Sequence, residues 1–379
     1  MPIIAPMLSP WESRHFHAEP HLAVVGAGIV GLFAALFYKR ANPLHHVLVL
    51  ERGAYPSGAS VKNAGFACFG SPSELLADIE KEGLDRAISR VEMRWEGLLQ
   101  LRAELGDTNI GFEPSGGHEV FSAHDPLYTR VLEKFDELND LLLPLFKNPV
   151  YRWNADGPRA FGLAPALKMA TTDLEGSVDT GAMMRTLLQK VQAEGVLVRT
   201  NSQVIALEEN ADHVSIQLAD NTPTKARHVL LATNGFTPLL APELDVIPAR
   251  AQVLLTEHIG SLKLKGTFHY DEGFYFFRDL GGAVLLGGAR NLDVAGETTM
   301  EEGTTDPIQN ALENFLREIV LPGKDFRIAQ RWSGIMAMGA ANKNPLIERI
   351  GERTTVAVRL GGMGVAIGIE VAKRAVGSI

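Results

Sequence analysis

Cysteine is almost absent from this 379-residue sequence, in which Cys68 is the single example. One cysteine excludes an intrachain disulfide and a cysteine-ligated metal cluster, and no other metal-ligand pattern is present, so we predict no metal site. A chain that needs no disulfide fits the reducing cytoplasm, which is the predicted location. Cys68 itself is expected to be a small core residue.

An excess of positive charge and a membrane-length apolar run are also missing. The chain has 36 Lys and Arg against 45 Asp and Glu, a net charge of −9, which disfavours nucleic acid and anionic membranes as partners. The longest nearly unbroken apolar stretch, residues 22–37, is too short to span a bilayer. The first twenty residues lack the basic and apolar regions of a secretory signal. The composition and length predict a globular enzyme of two or three domains.

Residues 22–52 carry the most informative pattern, a buried strand, a glycine turn, an apolar helix and a second strand that ends in an acid. Gly26 suits the tight turn, Gly28 lets the backbone approach a pyrophosphate, and Gly31 lets the helix pack close to the strand. Glu51 stands where a ribose diol would be bound. The pattern predicts a site for the ADP half of a dinucleotide. The alternative is a structural glycine turn in another α/β protein.

The rest of the chain divides into nucleotide-type elements separated by mainly β segments. Small residues fill 53–70, which favours a loop that approaches a flat ligand. Ser71, Pro72 and Glu74 form a capping box that opens a helical region, which Gly83 divides. Further predicted helices cover 125–146, 180–194, 306–320 and the residues after Gly364. Predicted strands cover 116–121, 196–199, 204–208, 214–218, the run from 228, 251–256, 273–277, 283–286 and 355–360.

These segments predict an α/β fold with a discontinuous Rossmann-like FAD-binding domain and a mainly antiparallel β substrate domain with helices. The predicted FAD-binding domain comprises residues 18–112, 176–240 and 326–379. The predicted substrate domain comprises residues 113–175 and 241–325.

Six motifs in this order resemble those of the D-amino-acid oxidase family of flavoproteins, which includes glycine, sarcosine and γ-glutamylputrescine oxidases. They are VVGAGIVG (24–31), GASVKNAG (58–65), LLATNG (230–235), IPARAQ (247–252), WSG (332–334) and LGGMGV (360–365). The resemblance implies FAD as the cofactor, and it implies non-covalent binding because no cysteine follows Cys68. It also implies these FAD-binding residues: Gly26, Gly28, Ile29, Val30, Gly31, Glu51, Arg52, Ser60, Lys62, Asn63, Ala64, Gly65, Val204, Thr233, Asn234, Gly235, Gly362, Met363, Gly364 and Val365.

Two residues are the predicted catalytic ones on the basis of the resemblance. Tyr275 matches a strand on which an active-site tyrosine often lies, and its alternative role is that of a core aromatic. Arg290, at the end of the next strand, could hold a substrate carboxylate with two parallel hydrogen bonds, and its alternative is a solvated strand end. Lys62 faces either the flavin or solvent, and Arg250 is either structural or close to the site.

The sequence departs from the family pattern at two positions. Met336 occupies the place, two residues beyond Gly334, at which glycine oxidase-like members have an arginine that binds carboxylate. Leu286 is expected at the place of the lysine that helps sarcosine oxidase-like members to activate oxygen. The first change casts doubt on a plain α-amino acid as substrate, and the second favours an electron acceptor other than oxygen.

The resemblance implies that hydride passes from the CH–NH bond of an amine or amino acid to flavin N5, which gives an imine that hydrolyses. The predicted partners are that substrate and oxygen or another electron acceptor. Two alternatives remain open: a 2-hydroxy acid dehydrogenase on the same fold, and a flavin-binding assembly protein without turnover. The histidines at 15, 17, 45 and 46 are expected at the surface rather than as ligands.

Overall fold

The structure of the protein is a computed structural model that describes residues 9–16 and 18–379. Within those ranges the helices are α1 (Pro10–His15), α2 (Ile29–Ala41), α3 (Ala59–Lys62), α4 (Pro72–Glu82), α5 (Leu84–Leu105), α6 (Pro126–Phe146), α7 (Gly157–Phe161), α8 (Thr180–Ala193), α9 (Asp306–Phe315) and α10 (Gly364–Val376). The first strands are β1 (Leu22–Val25), β2 (Val47–Leu50), β3 (Phe66–Ala67), β4 (Gly117–Ser122), β5 (Arg152–Trp153), β6 (Leu167–Thr172), β7 (Gly176–Ser177), β8 (Leu197–Arg199), β9 (Val204–Glu209) and β10 (Val214–Leu218). The remaining strands are β11 (Pro223–Ala226), β12 (His228–Leu231), β13 (Ile247–Thr256), β14 (Thr267–Tyr270), β15 (Tyr275–Leu280), β16 (Ala283–Gly288), β17 (Ile328–Met338), β18 (Leu346–Arg349) and β19 (Thr354–Val358).

A six-stranded sheet in the order β18-β19-β12-β1-β2-β8 forms the nucleotide-binding half of the fold. All its neighbouring strands are parallel except β18, which runs antiparallel to β19. Successive residues of β1 face opposite sides, as the pleat requires. Val24 packs with helices α2, α8 and α10, whereas Ala23 packs with strands β10 and β11. Both faces are covered, which explains why β1 and β2 are continuous apolar runs.

An eight-stranded sheet in the order β17-β13-β16-β15-β14-β4-β6-β5 forms the other half. Its neighbours are antiparallel except β14 and β4. Its outer face carries Phe277 and Leu286, which pack with Phe315 of α9. Its inner face carries Val253 and Leu285, which pack with Ala64 of the loop after β2. The sheet therefore presents one face to its own core and the other to the nucleotide-binding half.

Several predicted elements are confirmed with their end signals. Ser71 Oγ accepts a hydrogen bond from the Glu74 N–H, the Glu74 carboxylate accepts one from the Ser71 N–H, and α4 begins at Pro72. Gly83, with φ +90°, separates α4 from α5. The predicted helices at 125–146 and 180–194 are α6 and α8. The predicted α/β fold class is confirmed.

Other predictions of elements were wrong or incomplete. The predicted strand at 273–277 begins two residues later as β15. The strands that were not predicted are β3, β5, β6, β7, β11, β14, β17 and β18. β17 pairs with β13 from Ile247 opposite Met338 to Thr256 opposite Ile328, so it belongs to the larger sheet. The physical reason is its pattern: an edge strand with exposed Arg331 shows little of the apolar run typical of a central strand. The division into two domains stays a prediction.

None of the described helices combines the length and the apolar character needed to cross a membrane.

Candidate active site

A cavity of about 630 Å³ lies where the carboxyl ends of β1, β2 and β12 meet the inner face of the eight-stranded sheet. In an open parallel sheet, ligands bind outside the carboxyl ends of the strands, so this is the expected place for a nucleotide. The cavity also reaches α10 and the inner sides of β13 and β15.

The glycine turn after β1 gives the cavity one wall made of backbone. Gly26 has φ +106°, and a Cβ there would lie 2.8 Å from the carbonyl oxygen of Ala232. Gly28 is the N-cap of α2 in extended backbone. The Ile29 N–H donates to Ser60 Oγ at 3.0 Å, and the positive end of the helix dipole lies at the cavity wall. A Cβ on Gly31 would lie 1.9 Å from the Gly26 oxygen. Gly26 and Gly28 therefore line the wall, and Gly31 packs behind it; the contact of this turn with a pyrophosphate stays a prediction.

Glu51 ends β2 and is 7% exposed. Its Oε2 accepts a hydrogen bond from the Ala27 N–H at 3.0 Å, and its Oε1 accepts one from the Gly53 N–H at 2.9 Å. These bonds fix the carboxylate at the cavity wall and leave acceptor positions for a diol. Beside it, the Arg52 guanidinium lies 3.7 Å from the centre of the Phe236 ring, a stacked cation–π contact. Val204 lines the same region.

Two long side chains of the eight-stranded sheet donate hydrogen bonds that hold the loop at 58–65. Trp332 Nε1 donates to the carbonyl oxygen of Lys62 at 3.0 Å. Arg278, buried on β15, donates through Nη1 to the oxygens of Gly65 and Val178 at 3.2 and 3.1 Å. These bonds place a loop of small residues between the two sheets, where it can lie against a planar ring.

The N-terminus of α10 supplies the wall at the far side of this loop. Gly362, with φ +84°, lets the backbone turn into the helix, and the N–H groups of Gly364 and Val365 are too early in the helix to have intrahelical acceptors. Asn234 points a buried Oδ1 without a hydrogen-bond partner among the described residues, and Asn234 lines the cavity. Backbone donors at helix ends, a fixed carboxylate and an unpaired amide oxygen fit the pyrophosphate, ribose and ring edge of FAD.

Most predicted FAD-binding residues meet in this cavity. Its lining includes Gly26, Gly28, Ile29, Val30, Glu51, Arg52, Ser60, Lys62, Asn63, Ala64, Val204, Thr233, Asn234, Gly362, Met363, Gly364 and Val365. Gly31, Gly65 and Gly235 do not line it. A Cβ on Gly65 would lie 2.3 Å from the Val178 oxygen, and one on Gly235 would lie 2.5 Å from the Met336 oxygen. These three glycines allow close packing behind the wall, which we count as a correction of their predicted contact with FAD.

The prediction that Tyr275 faces the substrate is not supported by its position. Its ring stacks on Phe315 of α9 with centroids 4.5 Å apart, on the outer face of the sheet. Its neighbours Phe274 and Phe276 line the cavity. Tyr275 is therefore a core aromatic, the alternative stated above. Alternate residues of a strand face opposite sides of a sheet, and the sequence motif does not specify which side Tyr275 faces.

The alternation of side chains along a strand also changes which residue stands in place of the family's lysine. Leu286 packs in the outer core with Phe277. Leu285 lies on the inner face, in contact with Ala64 of the loop at 58–65. The inner-face position is therefore apolar, as predicted, but Leu285 provides it.

Arg290 does line the cavity, at a turn set by the left-handed backbone of Ala289 (φ +59°) after β16. It is partly buried, which lowers its pKa, and the nearby charge of Glu297 opposes this effect. No hydrogen bond or ion pair engages its guanidinium within the described part of the chain. Met336 also lines the cavity. Arg290 is thus an unpaired cation in the same cavity that is lined by Met336, the residue at the position from which the family's arginine is missing.

Lys62 and Arg250 can also be assigned. Lys62 lines the cavity and forms an ion pair with Glu302. Arg250 is held by two hydrogen bonds of 2.9 Å to the Glu297 carboxylate and does not line the cavity, so its role is structural.

Sequence reasoning missed the charged side chains that gather at one end of the cavity. We call this group the charged end; it comprises Glu74, Lys81, Arg94, His269, Glu272, Arg290 and Lys343. They come from α4, α5, β14, two loops and the turn after β16. No local pattern marks them, and Glu74 was recognised only as part of a capping box. Arg290 alone of this group was predicted.

Opposed effects set the protonation of Glu74. Burial raises its pKa, but the charges of His269, Arg94 and Lys343 and the Ser71 N–H outweigh burial and bring the pKa to about 2. Cys68, predicted as a core residue, is buried but lines the cavity, with Sγ 3.6 Å from Arg94 Nη2. Burial raises the pKa of its thiol, so it is not a thiolate nucleophile at neutral pH.

Of the four histidines predicted at the surface, the three that the structure describes do not line the cavity. His15 and His46 are exposed. His45 is partly buried and hydrogen-bonds the Tyr38 hydroxyl at 3.0 Å. His17 lies outside the described residues.

Comparison with solved structures shows the same fold over nearly the whole chain. L-proline dehydrogenase from P. horikoshii matches with a TM-score of 0.74 and 15% identity, over 94% of this chain and 92% of that one. Glycine oxidase from Geobacillus kaustophilus matches with a TM-score of 0.73 and 17% identity, over 95% of each chain. Iminodiacetate oxidase from Chelativorans sp. BNC1 matches with a TM-score of 0.73 and 18% identity, over 94% of each chain.

No curated protein sequence matches the chain significantly. A family model does match it: DAO, described as FAD dependent oxidoreductase, over residues 21–376. The match spans the glycine turn, both sheets and the last helix, and it agrees with the donors that the cavity offers to a dinucleotide. The chain belongs to the DAO family of FAD-dependent oxidoreductases.

Proposed function

We propose that the protein oxidises the CH–NH bond of an amino acid whose carboxylate is held by Arg290. The observation that carries the proposal is this unpaired guanidinium at the wall of the cavity that the loop at 58–65 also lines. A planar guanidinium binds a carboxylate through two parallel hydrogen bonds. It replaces the missing arginine at Met336 from a different element.

FAD, when bound, supplies an acceptor for the two electrons that leave the substrate as hydride. The chain's own residues position the reactants. Arg290 would fix the carboxylate, and the rings of Phe274 and Phe276 would exclude water from the substrate carbon. The N-terminus of α10 offers positive dipole to negative charge that develops on the reduced ring. Such positioning is the protein's main contribution in cofactor enzymes.

The similar structures support this class of substrate. By name they oxidise or dehydrogenate glycine, iminodiacetate and L-proline, each an amine that carries a carboxylate. A cytoplasmic location and oxygen or another oxidant as acceptor belong to the same proposal. Mixing the reduced protein with air-saturated buffer, in the presence and absence of an artificial acceptor, decides between the two kinds of acceptor.

The test is an anaerobic titration read at the flavin absorbance. The panel contains α-amino acids of both hands, N-substituted and dicarboxylic amino acids, amines that lack a carboxylate, and 2-hydroxy acids. We expect bleaching by at least one carboxylate-bearing amine and none by the amine from which its carboxylate has been removed. Bleaching by hydroxy acids but not amines would select the 2-hydroxy acid dehydrogenase. A flavin that no compound reduces would favour an assembly protein without turnover.

A further inference from the structure

His269 is an unexplained polar group at the charged end. It lies on β14, is 6% exposed and lines the cavity. Neither ring nitrogen has a hydrogen-bond partner among the described residues. An unsatisfied buried polar group costs about 1–3 kcal/mol, so a histidine kept here calls for a ligand that completes its bonds.

Its surroundings hold the ring in place and set its charge. Nδ1 lies 3.6 Å from Glu74 Oε2, and the Phe66 ring stands edge-on to the imidazole at 5.1 Å. On the neighbouring strand, Glu119 is the register partner of His269, so their side chains lie on the same face. On the other side, Phe276 is the register partner.

Charged or titratable groups surround the imidazole: Glu74 on α4, Arg94 on α5 and Glu119 on β4 lie against it. Tyr151 and Glu175 share a small cavity with it. Burial lowers the pKa of His269, Glu74 raises it and Arg94 lowers it. Burial raises the pKa of Glu119 to about 8, against the hydrogen bonds from Ser73, so Glu119 is mostly neutral at pH 7. The imidazole is therefore neutral and able to accept a proton next to one fixed carboxylate.

We propose that His269 accepts the proton that the substrate's ammonium group must lose before oxidation, with Glu74 as the residue that orients the ring and stabilises the imidazolium. This inference rests on the proposed function. The N–H bond of the ammonium breaks, its electron pair stays on nitrogen, and the proton moves to the free ring nitrogen. The amine lone pair then forms the C=N bond as hydride leaves the carbon for FAD, so charge and electrons balance.

A second, much smaller cavity lies behind the histidine. It has a volume of about 10 Å³, and His269 lines it together with Glu119, Tyr151 and Glu175. Burial raises the pKa of Glu175 to about 7, against hydrogen bonds from the Phe69 and Gly70 N–H groups. Space for about one water beside two carboxyl groups that titrate near neutrality gives the proton a place to move after the transfer.

The kinetic test compares the wild type with His269→Gln in anaerobic stopped-flow reduction between pH 6 and 10, with the best substrate from the panel. Loss of a general base costs roughly 10²–10⁴-fold, so we expect that loss at pH 7. The loss should shrink as pH approaches the pKa of the free amine, which then needs no base. FAD content should equal that of the wild type.

The matched control is His228→Gln. His228 is partly buried at the amino end of β12, opposite the end at which the cavity lies, and does not line it. We expect its rate and pH profile to be those of the wild type. If His269→Gln keeps both, the proposal is wrong. If no amine reduces the wild type, the proposed function fails instead, and the next measurement judges His269 alone.

That measurement is long-range ¹H–¹⁵N NMR of the histidine side chains in the FAD-loaded protein, with His269 assigned by its disappearance in His269→Gln. We expect a neutral ring at pH 7, and a lower pKa in Glu74→Gln because the stabilising carboxylate is gone. A ring that is already cationic at pH 7 cannot accept a proton and would overturn the proposal. If the pKa of His269 is unchanged in Glu74→Gln, Glu74 does not stabilise the imidazolium.

Discussion

At the nucleotide end of the cavity the walls are backbone, whereas at the charged end they are side chains. The turn after β1, the loop at 58–65 and the start of α10 present N–H groups, glycines and one fixed carboxylate, Glu51. The charged end instead gathers cations and acids from distant elements, including Arg290, His269 and Glu74. One end suits a ligand that every family member shares, and the other suits a ligand that differs between members.

The two ends also differ in how their polar groups are satisfied. Glu51 already accepts two backbone hydrogen bonds, so the nucleotide end is preorganised before a ligand arrives. At the charged end, Arg290 is unpaired and His269 has no hydrogen-bond partner within the described residues. Buried groups without partners are costly, so the charged end gains most from its ligand. Substitutions at the two ends should therefore separate cofactor binding from substrate binding.

The largest expected effect is at the nucleotide end, in Gly28→Val. Gly28 has extended backbone, and a Cβ there would meet only Ser60 Oγ, at 3.2 Å, so the chain can fold. The branched side chain would cover the N-terminus of α2. We expect FAD affinity to fall at least 1,000-fold, or about 4 kcal/mol, measured as flavin content after gel filtration and by apoprotein titration.

The control is Gly260→Val, at an exposed position where a Cβ would meet nothing within 4 Å. It should purify with wild-type flavin content. Stoichiometric FAD in Gly28→Val would show that the pyrophosphate is not bound at the glycine turn. The assignment of cofactor binding to the nucleotide end would then be wrong.

Sequence alone located most residues that line the nucleotide end, because the determinants of this end are local. Gly26, Gly28 and Glu51 lie within one βαβ unit, in which each type of residue has a steric or hydrogen-bonding reason. The charged end had no such signal. His269 and Lys343 are brought together by the pairing of β14 with β4 and by a loop after β17, and that pairing is a property of the whole sheet.

The errors at Tyr275 and Leu286 have one cause. Each lies on a strand that was correctly recognised, but a strand motif locates a residue along the chain and not on a face. A shift of one residue moves a side chain to the opposite side of the sheet. The packing of α9 against the outer face, through Phe315, decides the matter, and α9 is distant in sequence from β15.

The next effect should appear at the charged end, in Arg290→Met. The change keeps much of the side chain's length and removes the charge that we assign to the substrate carboxylate. We expect the Kd of a carboxylate-bearing substrate to rise about 100-fold, since a charge-assisted pair is worth roughly 2–3 kcal/mol. Rapid-reaction titration of flavin reduction measures it.

FAD content should stay at the wild-type level in Arg290→Met, the reverse of the outcome in Gly28→Val. Tyr275→Phe serves as the control, since this ring packs on the outer face, and it should leave substrate Kd unchanged. If Arg290→Met binds its substrate as tightly as the wild type, Arg290 does not bind the substrate carboxylate.

A smaller effect should follow from Arg278→Met, which lies between the two ends. The variant removes the Nη1 donor from the carbonyl oxygens of Gly65 and Val178. The Gly65 oxygen keeps its hydrogen bond from the Val178 N–H, so the Val178 oxygen is the one that loses its partner. Loss of a buried partner costs about 1–3 kcal/mol, so we expect the free energy of unfolding to fall by about 2 kcal/mol in urea titrations. FAD should bind less tightly because the loop at 58–65 loses an anchor.

Arg331→Met is the matched control for Arg278. Arg331 lies on β17 of the same sheet, and its ion pair with Glu313 is partly exposed. Such a pair contributes at most about 1 kcal/mol, so the control should change stability less. Equal effects of the two substitutions would mean that Arg278 does not anchor the loop.

The last expected effect is a pH dependence that compares Glu74, a member of the charged end, with Glu119, a neighbouring carboxyl outside that group. Burial raises the pKa of Glu119 to about 8, above its value in the unfolded chain, so the folded state holds a proton that the unfolded state releases. Stability from this group is full below about pH 4.5 and is lost as pH rises through 8. Glu119→Gln should therefore gain stability relative to the wild type as the pH rises from 5 to 8.

Glu74 should show the opposite sign, because nearby positive charges lower its pKa to about 2 despite burial. Its contribution is present above about pH 4.5 and is lost as pH falls towards 2, so Glu74→Gln should be more destabilising at pH 6 than at pH 3. Urea unfolding of both variants over this range measures the two slopes in one experiment. Parallel curves of stability against pH for the two variants would show that Arg94, His269 and Lys343 do not give Glu74 and Glu119 different pKa values. The side chains of the charged end would then act as separate groups rather than as one electrostatic unit around a ligand.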